Sequence, residues 1–243
     1  MRQRGPRERR KRQESRANAF IVSAIAAIAL GAAGPLGTAR LPAAPGFAVD
    51  EPSSSPKLTY TRVLKGSSPE YLAISVDSNG SGTYEGRKID EPSSPRSLKL
   101  SPQTTGRLFE LARVLDDFRT GDLESHKKVA NLGLKTFTYE ESGKRSQAQF
   151  NYSLRREAQE LTELFEKIAA VEQHIATLEY AVKYDHLGLP RELLQIQIDL
   201  DNKALADPQL MVPTLDQIAR NPRFLHLAQV RAQNILERLQ NSN

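Results

Sequence analysis

The spacing of apolar residues changes near residue 153, and this change is the strongest constraint on the fold. Before it, apolar and polar residues alternate, as around Leu72, Ile74 and Val76, which is typical of strands with one buried face. After it, apolar residues recur every three or four positions, which is typical of amphipathic helices. The sequence therefore predicts an α+β fold: a small antiparallel sheet with one packed helix in residues 58–152, followed by an all-α helical region in residues 153–243.

Two hairpins are predicted within the sheet. The first turns at Asn79-Gly80, because this pair supplies the positive φ angles that a tight two-residue turn demands. The second joins residues 134–139 to residues 147–152 through a turn at Ser142-Gly143. A further strand is predicted at residues 60–64, before the first hairpin.

One helix is predicted between the hairpins. Ser101 is its expected N-cap, and Pro102 stands at the first helical position, where its missing N–H costs nothing. The helix should cover one face of the sheet. Its apolar side consists of Leu108, Leu111, Ala112, Leu115 and Phe118.

The helical region is predicted to begin with an unusually long helix that bridges the sheet and the tail. Pro190, Pro213 and Pro222 mark the starts of three further helices, and the apolar spacing after Pro222 predicts that Leu227 lies on the inner side of the last helix. If the long helix exposed its apolar stripe, it could instead build a dimer. That stripe consists of Leu154, Ala158, Leu161, Phe165, Ile168, Ile175, Leu178 and Val182.

Residues 1–48 are typical of an export signal. A basic head precedes the apolar run at residues 19–33, and small residues suited to signal peptidase end at Ala39 and Ala48. We expect cleavage near one of these two alanines, giving a periplasmic or secreted protein. The alternative is an inner-membrane anchor at residues 19–36, although an uninterrupted helix of about 24 Å is shorter than the roughly 30 Å hydrocarbon core.

The net charge of +5 lies in the export segment. Cleavage after Ala48 removes nine basic and two acidic residues, which leaves 25 Lys and Arg against 27 Asp and Glu. A nucleic-acid partner is therefore not expected, and membrane contact is expected only through an uncleaved N-terminal segment.

The chain contains no cysteine, which excludes disulfides and thiol chemistry. Its stability must therefore come from a folded core, which is expected after the Ser- and Pro-rich tether predicted at residues 49–57.

Several short motifs suggest chemistry but lack the residues that would complete it. A calcium loop starting at Asp199 would need glycine at Ala204 and glutamate at Leu210. Ser125 and Lys128 have the spacing found in penicillin-binding enzymes, but the partner motifs are missing. Gly80-Ser81-Gly82 lies in a predicted hairpin and so does not form a nucleophile elbow.

Acidic and aromatic residues on the predicted elements have ordinary structural interpretations. A row of carboxylates on the long helix is predicted to be a solvated face, with pairs between Arg156 and Glu160 and between Glu163 and Lys167. His174 lacks the HExxH context of a metalloprotease helix. The aromatic residues of the strands are expected to form sheet core, with a ligand-binding face as the alternative. The carboxylates are Glu157, Glu160, Glu163 and Glu166, and the aromatic residues are Tyr60, Tyr71, Tyr84, Phe137, Tyr139, Phe150 and Tyr152.

The chain resembles an uncharacterised family of exported bacterial proteins, built of a small sheet followed by a helix that begins after Leu-Ser-Pro. The resemblance covers about residues 71–152 and implies no catalytic residues. It rests on Ile74-Ser75-Val76-Asp77, Gly82-Thr83-Tyr84-Glu85, Leu100-Ser101-Pro102 and Lys128-Val129-Ala130-Asn131. Residues 207–219 and 221–236 also resemble one HEAT-type repeat, but a single pair does not make an array, so a helical bundle is predicted.

These patterns predict an exported, non-enzymatic binding or structural protein of the bacterial cell envelope. We assign no catalytic, cofactor-binding or metal-binding residue. The expected partner is a protein, or a second copy, bound through the long helix or the sheet edge, with the exposed sheet face and the helical tail as further surfaces. The alternative is an exported hydrolase whose site is assembled from distant residues. It would require one histidine to meet a carboxylate and a serine in one cleft; the candidates are His126, His174, His186 and His226.

Overall fold

The computed structural model describes residues 55–120 and 122–241. The predicted export segment and residues 49–54 of the predicted tether lie outside these residues. The described strands are β1 (Lys57–Val63), β2 (Tyr71–Asp77), β3 (Ser81–Arg87), β4 (Arg96–Lys99), β5 (Leu134–Glu141) and β6 (Lys144–Phe150). The described α-helices are α1 (Pro102–Val114), α2 (Arg156–Tyr184), α3 (Leu189–Asp201), α4 (Val212–Arg220) and α5 (His226–Asn241).

The strands form one antiparallel sheet in the order β4-β3-β2-β1-β5-β6. The predicted α+β fold with a helical C-terminal region is confirmed. Strand β1 lies inside the sheet between β2 and β5, and it begins at Lys57, the last residue of the predicted tether. The short strand β4 was not predicted, because its four residues follow a Ser- and Pro-rich loop and give little alternation.

The two hairpin turns differ from each other. Ser142 and Gly143 both have positive φ, 50° and 75°, and turn the chain at the predicted position. The turn is tighter than predicted, because β5 continues to Glu141 and β6 starts at Lys144. The predicted two-residue turn between β2 and β3 is wrong, since three residues (78–80) connect these strands and only Gly80 has positive φ. The Asp77 carboxylate explains the difference, because its Oδ1 accepts from the backbone N–H groups of Asn79 and Ser81 and so stabilises the longer turn.

Helix α1 begins as predicted. Ser101 is its N-cap and accepts from the Thr104 N–H at 3.2 Å, and Pro102 is the first helical residue. The five predicted apolar residues are all buried under the sheet, although Phe118 belongs to a short 3₁₀ turn after the helix.

Helix α2 belongs to two hydrophobic cores, as the bridging prediction expected. Its N-terminal half packs in the core of the sheet and α1, and its C-terminal half packs in a core built with α3, α4 and α5. Ile168 and Ile175 are buried and Val182 is partly buried, so the apolar stripe is used inside the chain and is not exposed for a dimer. The placement of Leu154 in this stripe is wrong, because Leu154 precedes the helix and is 54% exposed.

The later helices start close to the predicted prolines. Helix α5 begins at His226, four residues after Pro222. The prediction that Leu227 points inward is wrong, because that side chain is 52% exposed. In the part of the chain that the structure describes, no helix combines the length and apolarity needed to cross a membrane.

A loop of the helical region caps a helix of the sheet region. Asp207 lies between α3 and α4 with a left-handed backbone (φ 55°) and points its carboxylate at the start of α1. The carboxylate accepts from the Ser101 N–H and hydroxyl and from the Thr104 hydroxyl, each at 2.7 Å. The negative charge at a helix N-terminus is favourable, and it ties the helical region to the sheet region.

Candidate functional site

The face of the sheet opposite α1 and α2 carries mainly polar side chains. Inward residues such as Leu72, Ile74 and Val76 are fully buried, whereas their outward neighbours Ala73 and Ser75 stay partly exposed. We call the outward side of the six strands the outer face. A one-sided antiparallel sheet leaves such a face to solvent or to a ligand.

One row of the outer face crosses all six strands and carries only hydroxyl and amide side chains. The strand register places these residues directly opposite one another. The Thr59 and Ser75 hydroxyls within it are hydrogen-bonded at 2.9 Å. We call this set the hydroxyl row; from β4 to β6 it consists of Ser97, Thr83, Ser75, Thr59, Thr138 and Gln147.

A second row lies at the hairpin end of the outer face and alternates in charge. Arg145 Nε lies 3.4 Å from Glu140 Oε1, and Lys99 Nζ donates to the Asn79 carbonyl and the Ser81 hydroxyl. An open cleft of about 660 Å³ lies beside this row, between the two hairpin turns. We call this set the charged row; it consists of Lys99, Ser81, Asp77, Lys57, Glu140 and Arg145.

Two further rows complete the outer face. The row next to the hydroxyl row again has mainly small or neutral side chains: Glu85, Ala73, Thr61, Thr136 and Gln149. The row at the opposite end from the hairpins is more apolar: Arg87, Tyr71, Val63 and Leu134. The Arg87 guanidinium lies 4.4 Å from the centre of the Tyr71 ring and covers the aromatic side chain of the outer face.

Both edge strands have features that disfavour the addition of another strand. Strand β4 has only four residues and is preceded by Pro92 and Pro95. Strand β6 carries exposed Lys144 and Arg145 at its start. Short edges, prolines and edge charges are the usual means of blocking strand pairing, so the geometry favours the outer face over the sheet edge as a binding surface.

The predicted aromatic residues divide between core and surface. Tyr60, Tyr84, Phe137 and Phe150 are buried, which agrees with the sheet-core interpretation. The rings of Tyr60 and Phe150 pack with those of Phe118 and Phe165 around the fully buried Phe137. The partly exposed aromatic residues are Tyr71, Tyr139 and Tyr152.

A buried polar cluster under α2 was missed by the sequence analysis. The Tyr60 hydroxyl donates to Glu166 at 2.7 Å, and Arg62 lies 3.4 Å from the same carboxylate. Burial and the adjacent Glu166 raise the pKa of Tyr60, and burial lowers the pKa of Lys135, whose Nζ donates to three backbone carbonyls. Since Tyr60 is fully buried, its hydroxyl is inaccessible to a substrate. The sequence held one signal of this cluster: Arg62 and Lys135 occupy positions that alternation along their strands predicts to point inward.

The carboxylates of α2 make specific contacts and do not form a uniform solvated row. Glu163 pairs with Lys167 at 2.7 Å, as predicted. The predicted pair between Arg156 and Glu160 is wrong, because Glu160 bonds to Arg107 of α1 instead. Together with the contacts of Glu166, this arrangement holds α2 against α1 and the sheet.

His174 lies between two carboxylates in the helical core. Its Nδ1 is 2.7 Å from Glu192 and its Nε2 is 2.9 Å from Asp199, and the residue is only 8% exposed. Burial favours the neutral ring, but the hydrogen bonds and charges of both carboxylates outweigh it and raise the pKa of His174. The carboxylates flank the ring on opposite nitrogens and so do not share a centre where an ion could sit. Within residues 55–120 and 122–241, no group of three or more His, Asp or Glu side chains is arranged so that it could hold a metal ion.

The other histidines do not complete a hydrolase triad in the described residues. His126 is exposed and contacts Asp122, and the adjacent Ser125 hydroxyl donates to Glu124 rather than to His126 or Lys128. His186 bonds to the Val182 carbonyl, and His226 is exposed at the start of α5.

The segment at residues 199–202 also uses its acidic side chains structurally. Asp199 bonds to His174, and Asp201 accepts from Arg238 at 2.6 Å. These contacts account for both carboxylates of the motif that the sequence analysis compared with a calcium loop.

The helical region has one exposed aromatic surface. Tyr180 and Tyr184 are 61% and 65% exposed on the last turns of α2, and their rings lie with centroids 5.2 Å apart at an angle of 47°. Leu187, in the following loop, is also exposed. Exposed apolar groups of this size are a second candidate contact surface.

Comparison with known proteins adds no assignment: no protein-family model matches the chain, and no curated protein matches it.

Proposed function

We propose that the chain is an exported, non-enzymatic binding protein of the bacterial cell envelope that holds its ligand on the outer face of the sheet. The observation that carries this proposal is the hydroxyl row, which places six hydrogen-bonding side chains across the whole sheet. Five of them are at least partly exposed, and Thr138 is buried. Export follows from the expectation placed on residues 1–48. Membership of the exported family that the chain resembles remains a prediction.

The outer face suits a broad ligand better than a small enclosed one. Small-molecule sites are concave and mostly apolar, whereas the cleft beside the charged row is open and lined by polar groups such as Ser75, Thr83 and Lys144. A permanent protein interface would need buried aromatic or arginine anchors, and the single pair of this kind, Tyr71 with Arg87, lies at one end of the face. The surface therefore favours reversible binding of a polar ligand.

The test is co-sedimentation of the protein with isolated bacterial envelopes, using the full chain expressed with its own N-terminus. The double variant Thr83→Lys and Gln147→Lys adds two long charged side chains to exposed positions of the hydroxyl row. The matched control, Thr177→Lys and Gln240→Lys, makes the same changes on exposed helical positions. We expect the first variant to lose envelope binding and the control to keep it.

A third variant separates the two candidate surfaces. Tyr180→Ala with Tyr184→Ala removes the exposed aromatic pair of α2. Loss of binding in this variant, with retention in the hydroxyl-row variant, would overturn the assignment to the outer face and assign binding to the helical region.

A further inference from the structure

We propose that the ligand of the outer face is the sugar backbone of the cell-wall peptidoglycan. This inference rests on the proposed function and adds the chemistry of the ligand to it. The type, spacing and charge of the side chains on the outer face support it.

The hydroxyl row matches the hydrogen-bonding chemistry of a sugar chain. Each Ser and Thr hydroxyl can donate one hydrogen bond and accept others, and the Gln147 amide can do both. Sugar hydroxyl and N-acetyl groups have the same dual capacity. Neighbouring strands are about 4.8 Å apart, so the accessible residues from Ser97 to Thr59 offer a hydrogen-bonding group at that interval over about 14 Å. Gln147 lies about 10 Å further along the row, beyond the buried Thr138. A polymer of repeating polar units can use such a row along its length.

Side-chain length separates this surface from an ordinary solvated sheet face. The hydroxyl row has no Lys, Arg, Glu or Asp. On one side it borders a row with a single charged member, Glu85, near the sheet edge, and on the other side it borders the charged row. Long charged side chains are concentrated at the two ends, in the charged row and at Arg87. A flat ligand can therefore reach the hydroxyls from the side of Ala73 and Thr61, away from the charged row, without displacing long side chains.

The charge of the outer face argues against an anionic polymer. Signs alternate along the charged row, and neighbouring members neutralise one another, as Glu140 and Arg145 do at 3.4 Å. Glu85 is likewise paired with Arg87 at 3.0 Å. Nucleic acid binding depends on a surplus of Lys and Arg and weakens steeply with salt. A balanced face suits an uncharged sugar backbone, and its binding should change little as the salt concentration rises.

Recognition would depend on hydrogen bonds more than on ring stacking. Tyr71 is the aromatic side chain of the outer face, and Arg87 covers its ring. Individual contacts with water-exposed hydroxyls contribute little net free energy, because each replaces a hydrogen bond to water. We therefore expect weak binding per site, strengthened where many sugar units are present on one particle.

The experiment uses purified peptidoglycan sacculi as the probe and measures the fraction of full-chain protein that sediments with them. We expect binding that survives high salt, survives protease treatment of the sacculi and is competed by soluble glycan strands from which an amidase has removed the peptides. Thr83→Lys with Gln147→Lys should weaken binding about tenfold, and Thr177→Lys with Gln240→Lys should not change it. Circular dichroism of both variants checks that the fold is retained.

Other outcomes separate failure of this inference from failure of the proposed function. If the protein ignores sacculi but binds whole envelopes through Thr83 and Gln147, and protease abolishes that binding, the ligand is a protein and the sugar-chain inference is wrong. If the hydroxyl-row variant binds envelopes and sacculi as well as the unmodified chain does, both proposals are wrong. Binding to sacculi that disappears in high salt would indicate attraction to charged groups and would also overturn the sugar-backbone assignment.

Discussion

The two cores that share α2 are held together by different chemistry. The core between the sheet and α1 contains a cluster of aromatic rings around Phe137, with centroid distances from 5.2 to 6.2 Å. The core of α3, α4 and α5 is mainly aliphatic, and the ionisable group His174 lies among its helices with two carboxylates. The sheet core thus combines aromatic packing with the contact between Tyr60 and Glu166, whereas the helical core includes a histidine whose protonation state affects its stability.

The sharing of α2 makes this difference informative. One helix must satisfy both environments, and it does so by changing partners near its middle: Phe165 and Ile168 face the sheet, and Val171 and Ile175 face the other helices. A change that destabilises either core should therefore also affect the stability of the other core through α2. Perturbing the cores separately shows whether the two regions unfold together.

The largest effect is expected from Phe137→Ala. Phe137 is fully buried and contacts four other rings, so its removal leaves a cavity and should lower the free energy of unfolding by about 3–5 kcal/mol. Urea unfolding followed by circular dichroism measures this change. Tyr180→Ala, which removes an exposed ring, is the control and should change stability by less than about 0.5 kcal/mol. Equal effects of the two variants would contradict the description of the sheet core.

His174→Gln should act on the helical core and should do so in a pH-dependent manner. The folded pKa of His174 is raised above its ordinary value of about 6.5, so its stabilising contribution is complete below that value and is lost as pH rises through the folded pKa. The variant should cost roughly 2–3 kcal/mol at acidic pH, as expected for hydrogen bonds to charged groups. At alkaline pH its cost should be smaller. Unfolding curves measured across this pH range give both numbers.

The exposed His226 provides the matched control for this pH series. His226→Gln changes a histidine of the same region that has no hydrogen-bond partner among the described residues. We expect its stability to follow the pH dependence of the unmodified chain. If His174→Gln also followed it, the two carboxylates would not be holding a charged ring.

Local sequence patterns were sufficient for most of the fold. Alternation predicted the hairpin strands, and the Ser101-Pro102 pair predicted the start of α1, because turns and helix ends depend on residues close in sequence. The prediction failed where a side chain altered a local preference, as Asp77 does in the turn after β2. It also failed for Leu154 and Leu227, which continue a helical pattern beyond the point where packing buries it.

The candidate site depended on information that no local pattern contains. The alternation of β2 predicts that Ser75 points outward, but only the strand register places it opposite Thr59 and Thr83 and so creates the hydroxyl row. The partners of His174 lie on the next helix, and Asp207 reaches Ser101 across 106 residues. Contacts of this kind follow from tertiary packing, so the types of residue were visible in the sequence but their proximity was not.

The contact between the regions gives the next smaller effect. Asp207→Ala removes the carboxylate that accepts from Ser101 and Thr104, and it should cost about 1–2 kcal/mol, as expected for the loss of a helix cap. Asp216→Ala removes an exposed carboxylate whose pair with Arg220 is open to solvent, and it should change stability by about 0.5 kcal/mol or less. A comparable loss in the two variants would mean that the Asp207 cap does not connect the regions energetically.

The smallest effect on stability is expected on the outer face. Thr83 and Gln147 are exposed, and each points away from the aromatic core, so replacing both with lysine removes little packing. The cost should be limited to strand propensity, about 0.5 kcal/mol or less for each change. Thermal unfolding of the double variant measures this loss of stability. Phe137→Ala, which acts on the covered face of the same sheet, is measured for comparison. A large loss would mean that the hydroxyl row stabilises the fold, and a loss of ligand binding in this variant could then no longer be attributed to contacts with the ligand.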